Sequence, residues 1–209
     1  MKLILASTSP RRIDLLKQAG FEIEVIPPGT DEIEIRGEAP KAMVLRLAKE
    51  KAHAVAAGQT VPCLIIAADT TVVAPNGKTI FGKPVDMKDA ERMLKKLVGR
   101  THTVLTGYCL AQVLPRSGGK SGVKIRTFSR VVRTRVKMRK LSTRAIQSYV
   151  KTGEPMGKAG SYAAQGIGTS MIDSLTGSYT NVVGLPISRV IEDLEKKFGI
   201  LPCWSKQDE

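Results

Sequence analysis

Apolar and polar positions divide this chain into short hydrophobic runs and amphipathic stretches that alternate almost to its end. Lys2 to Ala6 is short and continuously apolar, as a buried strand is, and a helix is expected after it. Ser9 suits the cap of that helix, Pro10 its first position, and Gly20 its end, with Ile13, Leu15, Leu16 and Ala19 as its apolar positions. Phe21 to Ile26 alternates like a half-buried strand, and Pro27-Pro28-Gly29 ends it in a loop carrying Asp31, Glu32 and Glu34. After Pro40 a helix is predicted to about Ala57, with Met43, Val44, Leu47, Ala48, Ala52 and Val55 inward. The apolar strand Cys63 to Ala68 is expected to stop at Asp69.

Thr71 to Ala74 and Thr79 to Phe81 flank Pro75-Asn76-Gly77-Lys78, and the Asn-Gly pair predicts a hairpin. Asp86 to Val98 reads as a helix with Met87, Ala90, Met93, Leu94 and Leu97 inward and Gly99 closing it. Two long strands follow, His102 to Leu114 and Val123 to Met138, joined by a flexible, turn-rich stretch from Arg116 to Gly122. In the second, Phe128, Val132, Val136 and Met138 share one face, and Arg133, Arg135, Lys137 and Arg139 the other. Val123 and Ile125 are out of phase with that set, which predicts a bulge or twist near Thr127. A helix from Ser142 to Thr152, a glycine-rich loop from Gly153 to Gly168, a strand Ser170 to Leu175 and a helix Pro186 to Phe198 complete the chain. The mixture predicts an α/β protein, and the hairpins imply a mixed sheet.

Composition narrows the picture. A chain of 209 residues can bury a sizeable core as one domain or two intimately packed lobes. With 33 basic against 19 acidic residues the net charge is +14, which favours a polyanionic ligand: nucleic acid, nucleotide or an acidic membrane surface. Pairs such as Lys95-Lys96 and Lys196-Lys197 are equally well read as solvated helix faces. No run approaches the roughly 18 apolar residues of a membrane span, and the apolar segment after Lys2 is broken too early for a secretory signal. Cys63, Cys109 and Cys203 lack metal-site or framework spacing, so the reducing cytoplasm is the expected location.

Candidate chemistry begins at residues 6 to 12, ASTSPRR, where a core strand feeds a polar turn and a helix start. Helix-start N–H groups, the hydroxyls of Ser7 and Ser9 and the guanidinium of Arg11 or Arg12 could converge on phosphate. The alternative is a plain helix cap with solvated arginines. Asp69, at a strand end, could activate water or hold Mg²⁺, or could serve only as a turn residue. Glu32 is a second acidic candidate, or part of a solvated face. Lys51 and Lys83 could each add positive charge opposite those carboxylates; Lys83, set between Gly82 and Pro84, is the stronger candidate, while Lys51 shares its helix with Lys41, Arg46 and Lys49, any one of which can equally be a surface charge. His53 and His102 stand alone, which disfavours nucleophilic catalysis by a histidine-based triad or dyad.

Taken in order, ASTSPRRIDLLKQAGFEIEVIPPGTDE, AADTTVV, GKPVD, TGEPMGKAGSYAAQG and NVVGLP resemble the Maf family of nucleoside triphosphate pyrophosphatases over almost the whole chain. The resemblance implies a single Maf-like domain over residues 1–209, a two-lobed mixed sheet with flanking helices similar to the inosine triphosphate pyrophosphatase (Maf/Ham) fold, a central nucleotide cleft and a homodimer. It implies attack of water on the α-phosphorus, assisted by a divalent metal, Mg²⁺ being expected. Asp69 matches the family's proton acceptor, and Ser7, Arg11, Glu32, Lys51 and Lys83 its phosphate and metal cluster, with Glu32 and Asp69 toward the metal. Arg12, Thr70 and Gln165 match positions associated with base selection, and Asp-Thr at 69 and 70 resembles the subfamily acting on dTTP and UTP. One departure stands out: Gly157 occupies the place of a common acidic residue before Lys158-Ala159-Gly160. It either removes a functional carboxylate or marks a turn.

Two rivals come from other classes. One is a basic nucleic-acid-binding regulator of septum formation, motivated by the charge and by the family's association with septum inhibition and opposed by the scarcity of aromatics for base stacking. The other is a nucleotide sensor without turnover, for which Gly157 is the hint.

Overall fold

The computed structural model describes residues 1–33, 35–115 and 123–205. Glu34 and the stretch expected to be flexible between Arg116 and Gly122 lie outside the described residues. The chain divides into two compact units, the first formed by Met1–Asp69, Gly107–Val131 and Gly184–Glu209, the second by Thr70–Thr106 and Val132–Val183. The elements in chain order are β1 (Lys2–Leu5), α1 (Pro10–Gln18), β2 (Glu24–Val25), α2 (Pro40–Ala57), β3 (Cys63–Val73), β4 (Ile80–Phe81), α3 (Met87–Leu97), β5 (Thr101–Pro115), β6 (Val123–Met138), α4 (Thr143–Lys151), β7 (Ile172–Thr176), α5 (Tyr179–Val183) and α6 (Ile187–Phe198). This is the α/β architecture with a mixed sheet and flanking helices that the pattern predicts.

In the first unit the strands lie in the order β2-β1-β3-β5-β6, with β1 parallel to both β2 and β3. Alternate residues Cys63, Ile65 and Ala67 of β3 join Ile4, Cys109, Ala111 and Val113 under α2, which contributes Ala48, Ala52, Val55 and Ala56. Small side chains let helix and sheet lie close. A Cβ added at Gly107 of β5 would stand 2.4 Å from the Val44 carbonyl oxygen of α2, a separation no side chain can occupy. On β5, the buried Tyr108 donates its hydroxyl proton to Asp193 of α6, and Arg130 of β6 pairs with the same carboxylate at 2.7 Å. Burial, with that carboxylate beside it, raises the Tyr108 pKa.

In the second unit β3, β5, β6 and β7 are successive neighbours, β4 pairs antiparallel with β3, and β7 pairs antiparallel with β6. The core gathers Val72, Phe81, Ala90, Met93, Leu94, Leu97, Val104, Val136, Met138 and Ile146. Asp86 and Ser142 cap α3 and α4 by accepting from the N–H groups of Asp89 and Ala145.

Several expectations are corrected. β3 does not stop at Asp69: the β-branched run Thr70-Thr71-Val72-Val73 continues it, and Val72 and Val73 pair with Phe81 and Ile80 in the expected hairpin. Ser9 occupies the cap position of α1 without a side-chain cap bond. Met87 is exposed, because α3 turns Ala90, Met93, Leu94 and Leu97 inward and leaves its first turn in solvent. The alternating segment before Pro27 forms only the two-residue β2, and α5, too short to show a helical period, had no signal. In β6, Val123 and Ile125 pack on the core beneath α2, while the even positions Val136 and Met138 enter the second unit's core. Residues near the two ends of β6 thus meet different cores, and a register shift against β7 occurs between Lys137 and Met138.

Two outcomes follow from this packing. Gly107→Ala is expected to lower stability by about 1 to 3 kcal/mol in urea unfolding, whereas Gly58→Ala, whose Cβ would meet only the Val55 carbonyl at 3.8 Å, changes little. His102, buried and sharing a 2.8 Å hydrogen bond with Tyr162, has its pKa pushed down by burial to about 4. The unfolded chain protonates this imidazole below about pH 6.5 while the folded chain resists until about 4. The stability it contributes is thus complete above the unfolded pKa and lost as pH falls through that window, by roughly 3 kcal/mol. Unfolding curves between pH 7 and 4 should show a shallower decline in His102→Gln than in the parent.

Candidate active site

The site grows from two periodicities in the first unit. Along β3, Asp69 continues the alternation of Cys63, Ile65 and Ala67, whose side chains pack beneath α2. Along α2, Lys51 lies on the helical stripe of Val44, Leu47, Ala48 and Val55, so its side chain is buried with theirs. Strand and helix therefore bring a carboxylate and an ammonium together inside the protein. The Lys51 Nζ donates to Asp69 Oδ1 at 2.7 Å and to Glu32 Oε1 at 2.6 Å. Asp69 and Lys51 are buried, while the Glu32 side chain keeps 45% of its exposure. Lys51, the weaker of the two cationic candidates by its neighbours, thus lies opposite both carboxylates, and its surface-charge alternative does not hold: helical phase was the signal that could have placed it inward.

Glu32 comes from an irregular loop, and Arg46 of α2 holds that loop. Its guanidinium bonds both Glu38 carboxylate oxygens at 2.7 and 2.9 Å, Glu50 at 3.1 Å, and the carbonyl of Ile33, next to Glu32, at 3.0 Å. These carboxylates raise the Arg46 pKa, and the hydrogen bond from Arg46 lowers that of Glu38. Sequence reasoning missed Arg46 as a positioning group; its only local signal was Glu50 one helical turn on.

Beside β1, Ser7 is buried and its Oγ accepts from the Ser9 N–H at 3.2 Å and from Arg12 Nη1 at 3.3 Å. With its oxygen taken by donors, the hydroxyl has a proton to offer a ligand. Arg12 also donates through Nε to the Gly184 carbonyl at 2.8 Å. Burial lowers the Arg12 pKa, Asp69 and Glu32 oppose that drop, and Arg11 adds to it. Arg11 is half-buried, and desolvation lowers its pKa too. The helix start is less open than expected, since Pro10 has no N–H and the amides of Arg12 and Ile13 both bond the Ser9 carbonyl. Side chains thus carry most of what this turn offers an anion.

Thr70, Lys83 and Gln165 lie in the second unit. Thr70 Oγ1 is 2.9 Å from Thr106 Oγ1, Lys83 is exposed, and Gln165 is half-buried. The loop bearing Gln165 is gathered by Glu154, whose carboxylate accepts from Tyr149 Oη at 2.9 Å and from the amides of Ile167 and Gly168 at 2.9 and 2.8 Å. Burial opposes its ionisation, yet these donors prevail and hold its pKa below the usual value. Glu154 was not singled out from sequence. Gly157 has φ of +72° with no atom near a would-be Cβ, so the left-handed turn accounts for glycine there.

A family model described as Maf-like protein matches residues 2–197. The chain belongs to the Maf family. Among curated proteins it is 46% identical to the dTTP/UTP pyrophosphatase of Pelotomaculum thermopropionicum, over 95% of this chain and 97% of that one. It is 43% identical to the dTTP/UTP pyrophosphatase of Anaeromyxobacter dehalogenans, over 98% of each. Among solved structures it is similar to the Staphylococcus aureus Ham1 protein, with TM-score 0.41 and 19% identity over 82% of this chain and 80% of that one.

For this Maf family member the Lys51 pair is also a stability determinant. Lys51→Met leaves the Asp69 carboxylate buried without its cation, at an expected cost of about 3 to 5 kcal/mol. Adding Asp69→Leu should recover a substantial part of that loss, as measured by urea unfolding of the four members of the double-mutant cycle.

Proposed function

We propose that this chain is a nucleoside triphosphate pyrophosphatase that hydrolyses dTTP and UTP to the nucleoside monophosphate and pyrophosphate. The observation that carries this proposal is the buried Lys51 held between Asp69 and Glu32, with Ser7 and Arg12 in the same unit. Sequence identity near 45% with curated dTTP/UTP pyrophosphatases supports the substrate choice.

In this scheme a water oxygen attacks the α-phosphorus, the α–β anhydride bond breaks, and pyrophosphate departs with the bonding pair. Asp69 takes the water's proton. Ser7 donates its hydroxyl proton to a phosphate oxygen, Arg11 sets positive charge against the polyphosphate, and Lys51 orients both carboxylates. Lys83 is assigned to phosphate, and Arg12, Thr70 and Gln165 to base selection. Two carboxylates form a sparse protein donor set, which fits a hard divalent ion that draws its other ligands from water and substrate phosphates. Glu32 and Asp69 would hold such an ion, Mg²⁺ being proposed, and bound there it supplies charge to offset that developing on the phosphates. Among the described residues no group of three or more His, Cys, Asp or Glu side chains offers a fuller metal site. A homodimer in the cytoplasm is part of the proposal; among the described residues no helix is long and apolar enough to cross a membrane.

The nucleic-acid alternative gains little from the aromatics of the first unit. Phe128 already carries Arg130 and Lys197 over its ring at 5.6 and 5.4 Å, and Phe198 carries Arg126 at 5.5 Å. The sensor alternative loses its hint now that a turn explains Gly157.

Pyrophosphate release from dTTP and UTP with Mg²⁺ is the deciding measurement. Asp69→Asn is expected to lower kcat about 10²- to 10⁴-fold while remaining folded by circular dichroism. Absence of pyrophosphate release from any triphosphate in a full nucleotide panel would sink the proposal.

A further inference from the structure

Charge is divided unevenly along this chain. The second unit holds fifteen of the 33 basic residues and five of the 19 acidic ones, so most of the net charge of +14 lies there. The last part of β6 concentrates it. Thr134, Val136 and Met138 are buried, while the alternate residues Arg133, Arg135 and Lys137 are exposed on the opposite face, and Arg139 follows them directly after the strand. Successive cations in this row are roughly 6.6 to 6.8 Å apart, so the four span about 20 Å. Little in the fold neutralises them. Arg135 and Lys137 stand opposite Thr176 and Ser174 of β7, which are exposed and uncharged. Asp173 pairs with Lys137 at 2.8 Å, an exposed contact of small worth in water. Arg139 donates through Nε to the Ser170 carbonyl at 2.7 Å, which holds its guanidinium without cancelling the charge. Among the described residues Arg133 and Arg135 form no ion pair. Cations aligned this closely repel one another, and a polyanion laid along the row relieves that repulsion.

We propose that this face of the second unit is a docking surface for the phosphate backbone of single-stranded nucleic acid. The positive charge repeats along a line, which suits a chain of phosphates and not a lone one. Three of the four cations are arginines, whose planar fork meets phosphate oxygens two at a time. Arg135 to Met138 are paired with β7 and β5 lies on the other side, so a peptide strand finds no free edge there and the contact is left to side chains. The row carries no apolar side chain to enter a bilayer and no aromatic ring to stack on a base. Binding is therefore to the backbone, without sequence preference and steeply dependent on salt. A duplex backbone curves away from a straight row of this length, whereas a single strand can follow it. None of the residues assigned to hydrolysis belongs to the row, so this binding is separate from that reading.

The test follows the fluorescence anisotropy of a labelled oligothymidylate of about 20 nucleotides on the full chain, at salt from about 50 to about 200 mM. Four phosphate contacts give log affinity against log salt a slope of about −2.8, a loss of roughly fifty-fold over that range. In the triple variant Arg133→Gln, Arg135→Gln, Lys137→Gln the slope should shrink by about 2. The triple variant Lys78→Gln, Lys88→Gln, Lys151→Gln removes the same net charge from exposed positions of this unit outside the row and should keep the parental slope. Both should keep the parental circular dichroism and pyrophosphate release. If the row variant does not fold, Arg135→Gln is read in its place, with an expected change of about 0.7. A parent that does not bind the oligonucleotide at the lowest salt overturns the proposal. So does an equal loss in the two triple variants, since net charge alone then explains the binding. Tighter binding, through the same row, to a duplex of equal length or to phosphatidylserine vesicles overturns the choice of partner. A parent that releases pyrophosphate but binds no oligonucleotide overturns this proposal alone, and one that binds through the row but releases none overturns the hydrolytic proposal alone.

Discussion

An ammonium buried on the core stripe of a helix must be neutralised where it lies, because a lone buried charge would cost far more than the fold's margin of stability. Lys51 is such a group, and much of the first unit is arranged to meet it. Asp69 reaches it because β3 keeps its alternation, so a slip of one residue would turn the carboxylate to the opposite face and leave Lys51 uncompensated. Glu32 reaches it because Arg46 ties the adjoining loop to the same helix. Ala48 and Ala52, with Gly107 opposite Val44, let α2 approach the sheet closely enough for the contact. The interaction that stabilises the fold and the one that assembles the carboxylates are the same.

Hydroxyl groups in this protein show how identical chemistry is given opposite polarity. Ser7 receives two N–H donors on its oxygen and has a proton to give. Thr70 gives its proton to Thr106, whose own proton goes to the Asn181 carbonyl. A donor of this kind suits an anionic phosphate. Neither polarity belongs to the residue type; each is set by whichever partner has taken the other half of the hydroxyl's capacity. Glu154 works in the same way on a larger scale, since three donors converging on one carboxylate fix the loop that carries Gln165.

Local physics made much of the fold legible. The stripes of α2 and α3, the Asn76-Gly77 hairpin, the helix starts at Asp86 and Ser142 and the two long strands all express preferences that act within a few residues. Failures occurred where the deciding partner was distant. Thr71 to Ala74 resembled a separate strand because a charge interrupts the apolar run at Asp69, yet Lys51 makes that charge compatible with a continuous strand. That Val123 and Ile125 pack on the core beneath α2 was not legible, because a sequence does not reveal which layer covers each stretch of a strand. Residue by residue, Ser7, Arg12, Asp69 and Glu32 were found as candidates, whereas Arg46, Glu154 and Thr106 gave no sign of their positioning contacts.

The order of elements, the family and the chemical types in the candidate site were therefore determined by the sequence alone, since periodicity, turn residues and motifs are local properties of the chain. Tertiary structure decided which charges are buried and which way protons point. Lys51 became the partner of two carboxylates, and Thr70 a donor to Thr106, only when residues far apart in sequence came within hydrogen-bond distance. Burial and hydrogen-bond direction depend on neighbours supplied by packing, and no single stretch of chain contains them.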